Sequence, residues 1–312
     1  MSEPVDAPTR RPVLGFLGLG QMGGRMIRNL LAADYRVVAF DPNEERLAAA
    51  VAAGALAAAD ASDAVRRGEV VLVSLRSSEM FVSVCESDML PNARAGQVFL
   101  DLGTTEAPET RRLAAAFAER GAILLDTPVS GAPGPGMRVF MGGDREACER
   151  CRPILAATAD PERIVYCGPS GTGQAVKTVN QLGMGLVAAA YLEAVAFGFL
   201  AGADPEAIIQ GVGGDEDWRK HLASVARQAR DGRADDILVK FPELPYFLRE
   251  AKERGFSVPM TQALFEFLDA GPRDWVDNMD RPRVAFWHQL RACASAPLTA
   301  PTPTTRSSGT KP

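Results

Sequence analysis

Histidine is almost missing from this chain: His221 and His288 are the two in 312 residues. A Ser-His-Asp triad or a His-rich metal site therefore has almost no material to work with. No metal site is expected, and each histidine reads as packing or surface. Cysteine is sparse and odd in number, with Cys85, Cys148, Cys151, Cys167 and Cys293, which argues against a disulfide framework. Cys148 and Cys151 have the C-x-x-C spacing, but REACERCRPIL is patterned as an amphipathic helix, with no second pair and no His nearby. They read as two helix residues. Net positive charge is also lacking: 34 Lys and Arg against 39 Asp and Glu leave a formal charge of -5, so there is no basic field to hold nucleic acid. No apolar run is expected to span a membrane. The polar start, MSEPVDAPTRRP, has no apolar core of a secretory signal. A soluble cytoplasmic protein is expected.

What is present is apolar material, 46% of the residues, arranged in alternating strand and helix patterns. VLGFLG, YRVVAFD, EVVLVSL, QVFLDL, AILLD and RVFMGG read as strands. QMGGRMIRNLLAAD, NEERLAAAVAAG, EAPETRRLAAAFAERG and REACERCRPILAA carry helical spacing between them. Repeats of this kind predict a mostly parallel sheet covered on both faces. The pattern changes after the loop GPSGTGQ: residues 174 to about 201 read as one long helix, followed by helical segments near 205–212, 219–230, 243–254, 259–269 and 282–292. The predicted organisation is a disordered lead over 1–11, an α/β domain over 12–173, a long helix with an all-helical domain over 174–293, and a Pro/Thr/Ser-rich disordered tail over 294–312.

The first strand runs into Gly18-Leu19-Gly20-Gln21-Met22-Gly23, a G-x-G-x-x-G that then opens a helix. That is the context in which the motif binds a dinucleotide. Gly18 permits the tight turn, Gly20 lets a pyrophosphate approach the backbone, and Gly23 lets the helix pack close to the sheet. The N–H groups at the helix start, with Gln21 and Met22, complete the phosphate site. Asp41 ends the second strand about twenty residues on, where a carboxylate accepts from both adenosine ribose hydroxyls. A 2′-phosphate there would meet like charge, and Arg46 is the nearest cation, so NAD is favoured over NADP. Leu75-Arg76 and Thr104 each follow a strand, where cofactor binds in open sheets.

GFLGLGQMGGRMIRNLL resembles the opening signature of the β-hydroxyacid dehydrogenases, the 3-hydroxyisobutyrate dehydrogenase group. LLDTPVSGAPGPG, residues 124–136, resembles the substrate-binding segment of that group, and GTGQAVKTVNQ, residues 171–181, its catalytic segment. The resemblance spans residues 13–290 and implies a Rossmann-type doubly wound parallel sheet, a long interdomain helix and an all-helical C-terminal domain. It further implies that Lys177 is the catalytic lysine, that Asn180 accompanies it, that Ser130, Gly131 and Ala132 hold the substrate carboxylate, and that the protein forms homodimers or homotetramers. Lys177, Asn180 and Gln181 stand at i, i+3 and i+4, on one helix face. A lysine there donates or accepts the hydroxyl proton while hydride moves. The apolar circumference of the long helix, with Leu182, Met184, Leu186, Val187, Leu192, Val195, Phe197 and Leu200, also points to a helix buried on most sides.

Several positions depart from the family pattern. The usual second Gly after the Ser-Gly pair is Ala132, the second Asn is Gln181, Leu-Pro is Leu75-Arg76, Asp-x-Ser-Thr is Asp101-Leu102-Gly103-Thr104, and Lys-Asp-Leu is Pro242-Glu243-Leu244, with Lys240 two residues upstream. These changes point to a diverged pocket in which Arg76 meets a second acidic group of the substrate, with Trp218, Lys240 and Phe241 as candidates from the helical domain. The leading expectation is hydride transfer between NAD and a small β-hydroxy acid or its semialdehyde. Two others stay open: an imine reductase of the same architecture, and a dinucleotide-binding assembly or sensor protein without catalysis.

Overall fold

The computed structural model describes residues 10–270 and 286–293. The expected disordered tail, and all of the expected disordered lead but Arg10 and Arg11, fall outside the described residues. Arg10 pairs with Glu69 at 2.8 Å, and Arg11 lies over the Tyr35 ring. The chain divides into two compact units, Met1–Val179 and Asn180–Pro312.

The first unit is an α/β sheet. Its first half comprises β1 (Leu14–Leu17), α1 (Gln21–Ala32), β2 (Val37–Phe40), α2 (Glu44–Ala52), β3 (Leu56–Ala57), α3 (Ala61–Arg67) and β4 (Val70–Val73). Then come α4 (Ser78–Val84), which runs through a π turn into α5 (Leu90–Asn92), then β5 (Val98–Asp101), α6 (Ala107–Ala118), β6 (Ile123–Asp126), β7 (Val129–Ser130), β8 (Arg138–Gly142), α7 (Arg145–Ala156) and β9 (Ile164–Gly168). The strand order is β3-β2-β1-β4-β5-β6-β8-β7, with β9 on β8. The strands from β3 to β6 pair in parallel, whereas β8 pairs antiparallel with β6 and β7. The predicted parallel sheet therefore carries an antiparallel edge, because β7 and β8 are joined by a short Gly/Pro turn rather than by a crossover helix.

Two apolar layers hold this sheet. One face packs Leu14, Phe16, Leu72 and Leu100 against Met26, Ile27 and Leu30 of α1 and Cys148, Cys151 and Leu155 of α7. The other packs Leu17, Val71, Val73 and Phe99 against Phe81, Leu113 and Phe117. A parallel strand buried on both faces reads as a continuous apolar run, which is why VVLV and VFLD show no alternation. Burial pushes the Cys148 and Cys151 thiols up to about 12 each, so they behave as small core hydrophobes.

α8 (Thr172–Leu200) starts in the first unit and continues into the second. There follow α9 (Pro205–Val212), α10 (Asp217–Arg230), α11 (Leu244–Glu253), α12 (Pro259–Asp269) and α13 (Phe286–Cys293). Among the described residues the second unit contains no strand. Its core joins Leu192, Val195 and Phe199 of α8 to Val225, Phe247, Leu268 and Trp287. Contrary to the sequence expectation, α8 is long and apolar enough by length and composition to cross a membrane. A helix that lines a core on one side meets the same criterion, because its Ala, Leu and Val content serves either environment. Phe197 stays 74% exposed, and Met184, Val187 and Leu200 are exposed with it.

Candidate active site

The register of the parallel strands sets the site. Phe40, Leu17, Val73, Asp101 and Asp126 are paired across β2, β1, β4, β5 and β6 in one row, the last before the chain leaves the sheet. The glycine loop, Asp41, Leu75-Arg76 and Thr104 therefore leave the sheet at the same edge. It is the carboxyl edge, where open α/β sheets bind ligands.

The glycine loop has the shape a pyrophosphate requires. Gly18 has φ +89°, and a Cβ there would lie 2.3 Å from the Ser74 carbonyl oxygen and 3.1 Å from Leu75 Cδ2. A Cβ on Gly23 would lie 2.0 Å from the Gly18 carbonyl oxygen. Both glycines are thus demanded by the fold. Gly20 differs, since a Cβ there would meet nothing within 4 Å. It opens α1 with no side-chain cap and no acidic residue in the first turn, so the helix presents free N–H groups and its positive end to open space. Gln21 is exposed and Met22 half-buried. These residues fit a dinucleotide phosphate.

Asp41 is buried at 6% exposure. Its Oδ2 accepts from Leu19 N–H at 2.6 Å and its Oδ1 from Asn43 N–H at 2.8 Å. From the sequence, this carboxylate is expected to accept from both ribose hydroxyls. In the structure each oxygen also holds backbone, tying the glycine loop to the end of β2, and the remaining lone pairs are what a ribose can use. Leu75 and Thr104 are half-buried and Arg76 is exposed.

Lys177 is 6% exposed, and its Nζ donates to the Val129 carbonyl at 2.6 Å. Val129 directly precedes Ser130, so the lysine is anchored beside the segment read as the carboxylate cradle. Gly131 takes φ +94° and, like Ala132, is exposed. Farther along α8, Asn180 donates to the Gln181 side chain at 3.2 Å. Trp218, Lys240 and Phe241 belong to the second unit: Trp218 is half-exposed under Arg219, and Lys240 adopts a left-handed φ of +63°.

Three residues of the site lie in segments quoted from the sequence but were given no role there. Asp101 Oδ1 accepts from Gly103 N–H at 2.9 Å, and burial pushes its carboxyl up to about 7. Gln174 Nε2 donates to Asp101 Oδ2 at 3.3 Å and to the Gly103 carbonyl at 3.1 Å. Asp126 accepts backbone N–H groups from the start of α8, and burial pushes it upward as well. The available signal was an acidic residue closing each of two wholly apolar strands. Among the described residues no cluster of His, Cys, Asp or Glu is arranged to hold a metal.

Residues 13–168 match the NAD binding domain of 6-phosphogluconate dehydrogenase. The NAD-dependent L-serine dehydrogenase of Pseudomonas aeruginosa is 35% identical over 203 residues, 63% of this chain and 67% of that protein. The 2-(hydroxymethyl)glutarate dehydrogenase of Eubacterium barkeri is 28% identical over 291 residues, 89% of this chain and 95% of that protein. Among solved structures, the 3-hydroxyisobutyrate dehydrogenase of Mycobacterium tuberculosis with L-serine superposes with a TM-score of 0.75 at 26% identity, covering 90% of this chain and 100% of that one. A carboxyl-edge glycine loop, an NAD-binding domain match over half the chain, and relatives that are dehydrogenases of small hydroxy acids lead to one assignment: the chain belongs to the β-hydroxyacid dehydrogenase family, NAD(P)-dependent oxidoreductases acting on CH–OH groups.

Proposed function

We propose that this chain moves hydride between NAD and the carbinol carbon of a small β-hydroxy acid or its semialdehyde, with Lys177 as general acid/base. The observation that supports it most is the buried Lys177 ammonium fixed 2.6 Å from the Val129 carbonyl, one residue before Ser130. A lysine is rarely buried unless its charge has a task or a partner.

When bound, the nicotinamide accepts or returns the hydride. The protein's part is to hold and move a proton. In oxidation the neutral Nζ takes the proton from the substrate hydroxyl, and in reduction the ammonium gives it back. Ser130 Oγ and the N–H groups of Gly131 and Ala132 receive the substrate carboxylate, as the N–H groups of an exposed turn can. Asn180 and Gln181 continue the same helix and orient the substrate. Arg76, exposed after β4, receives a second acidic group where the substrate has one. Asp41 sets the preference for NAD by opposing a 2′-phosphate. A second copy of the chain is the proposed cover for the exposed apolar residues of α8.

The test is NADH formation with L-serine, 3-hydroxyisobutyrate and 2-(hydroxymethyl)glutarate, run beside Lys177→Ala. Turnover on at least one substrate, reduced ~10²-fold or more in K177A with NAD binding retained, is the expected result. Tight NAD binding with no turnover on any of them would favour a non-catalytic dinucleotide-binding protein. Turnover confined to cyclic imines with a reduced cofactor would favour an imine reductase.

A further inference from the structure

We propose that Asp126 is a positioning residue for Lys177: from the end of β6 its carboxylate grips the first turn of α8 and fixes where the amine stands. The inference rests on the reading of Lys177 as the acid/base group.

Asp126 is fully buried. Its Oδ1 accepts from Gly171 N–H at 2.9 Å and its Oδ2 from Gln174 N–H at 3.0 Å. The surroundings leave no slack. A Cβ on Gly142 would lie 2.5 and 2.6 Å from the two carboxylate oxygens, and a Cβ on Gly173 would lie 2.8 Å from Oδ2 and 2.4 Å from the Phe140 carbonyl oxygen. β8 and α8 thus close over the carboxylate through two glycines. Burying an anion is costly unless it is hydrogen-bonded. The helix N–H groups and the positive end of the helix offset part of that cost here, and burial still holds the carboxyl above its ordinary value.

Five other helix starts of this chain carry a local side-chain cap, and α6, α10, α11 and α12 carry none. Asn43, Asp60, Ser77, Asp144 and Asp204 each accept from an N–H three residues downstream at the start of their own helices. A local cap stabilises a helix wherever the helix lies. A cap taken from a strand 45 and 48 residues away fixes the helix against the sheet. One turn after Gln174, Lys177 gives its ammonium to the carbonyl of Val129, which stands three residues after Asp126. The segment 126–129 therefore grips α8 twice, by a side chain at its first turn and by a carbonyl at the lysine. Gln174 adds a third tie, to Asp101 and Gly103 of the neighbouring loop.

The experiment compares wild type with Asp126→Asn, which keeps the volume and removes the charge. Trace acetylation of lysines, read by peptide mass spectrometry, reports how firmly Lys177 is held, with the exposed Lys220 as internal reference. In D126N, Lys177 is expected to label ~10-fold faster while Lys220 is unchanged, and kcat to fall by about 10²-fold with the Kd for NAD within about threefold, because small misplacements of reacting groups cost on that scale. In a K177A background D126N is expected to add no further loss. Unchanged labelling and kcat in D126N, or an equal loss in the K177A background, overturns the proposal. Should D126N not fold, hydrogen exchange of the wild type decides: Gly171 and Gln174 N–H are expected among the slowest to exchange, and fast exchange at both overturns it. If K177A retains full turnover, the acid/base reading fails on its own, and the labelling result still shows whether Asp126 holds the lysine.

Discussion

Of the helices of the first unit that begin at the carboxyl edge of the sheet, α1 and α8 have their N-termini treated in opposite ways. α1 starts at Gly20 with no side-chain cap, no acid in its first turn and open space where a Cβ would stand. α8 starts under the buried carboxylate of Asp126, which accepts from Gly171 and Gln174 N–H groups. Both ends carry the same partial positive charge and the same unpaired donors. One is left for an anion from solution, and the other is closed by an anion of the protein. The difference separates two jobs. A helix end that binds a phosphate has to stay unsatisfied in the apo protein, whereas a helix that carries a proton-transfer group has to be fixed before substrate arrives.

The contrast requires that the open end be rigidly built although it is unfilled, and Gly23→Ala is the harshest way to break it. The added Cβ would lie 2.0 Å from the Gly18 carbonyl oxygen and 3.0 Å from the Phe16 ring. Neither is the far end of a flexible side chain, so loop and helix must separate. A loss of about 5 kcal/mol, with NAD binding abolished, is expected on denaturant unfolding and calorimetry. A G23A protein melting like wild type would mean that the loop is soft, and the comparison with α8 would fail.

The closed end is sharpened by Asp101, the register neighbour of Asp126. Burial pushes its carboxyl from 3.8 up to about 7. Between those values the folded protein holds a proton that the unfolded chain has released, so stability falls as pH rises from about 4 to about 7 and is level above. A shift of roughly three pH units sets a ceiling of ~4 kcal/mol on that fall, and about half of it is the working expectation. In Asp101→Asn this part of the slope disappears. Unfolding curves for the two proteins at pH 4 to 8 should diverge as pH rises, N relative to D gaining stability. Parallel curves would show that Asp101 is charged throughout.

How much of this was legible follows from where each partner lies in the chain. The glycine loop is local, so Gly18 and Gly23 were legible by spacing, whereas Lys177 was legible only through the resemblance of residues 171–181 to a family's catalytic segment. β1, β2, β4, β5, β6 and β8 were legible as apolar runs. β7 and β3 were not, because two-residue strands have no periodicity to detect. β9, IVYCG, alternates too little to be told from a loop. α3 and α4 were passed over although their caps were visible: Asp60 accepts from Asp63 N–H and Ser77 from Met80 N–H. The role of Asp126 was beyond reach, since it depends on contacts across 45 and 48 residues and on two glycines whose reason is steric. Asp41 was read correctly in position and incompletely in contacts, because a lone acid after a strand does not reveal that Leu19 N–H reaches it first.

The smallest effect makes the finest test of the open end. At Gly20 the backbone is extended with a negative φ of -61°, outside the left-handed region that requires glycine, and the added methyl meets nothing. Nothing in the protein therefore demands a glycine at this position, in contrast to Gly18 and Gly23. If the space over Gly20 is where a pyrophosphate lies against the backbone, the methyl costs binding alone. Gly20→Ala is expected to melt within about 2 °C of wild type and to weaken NAD binding about tenfold, roughly 1.4 kcal/mol, by fluorescence titration. Adenosine, which has no phosphate, should bind both proteins alike. Equal NAD affinity in G20A and wild type would place the phosphate elsewhere and leave the uncapped start of α1 without a ligand to explain it.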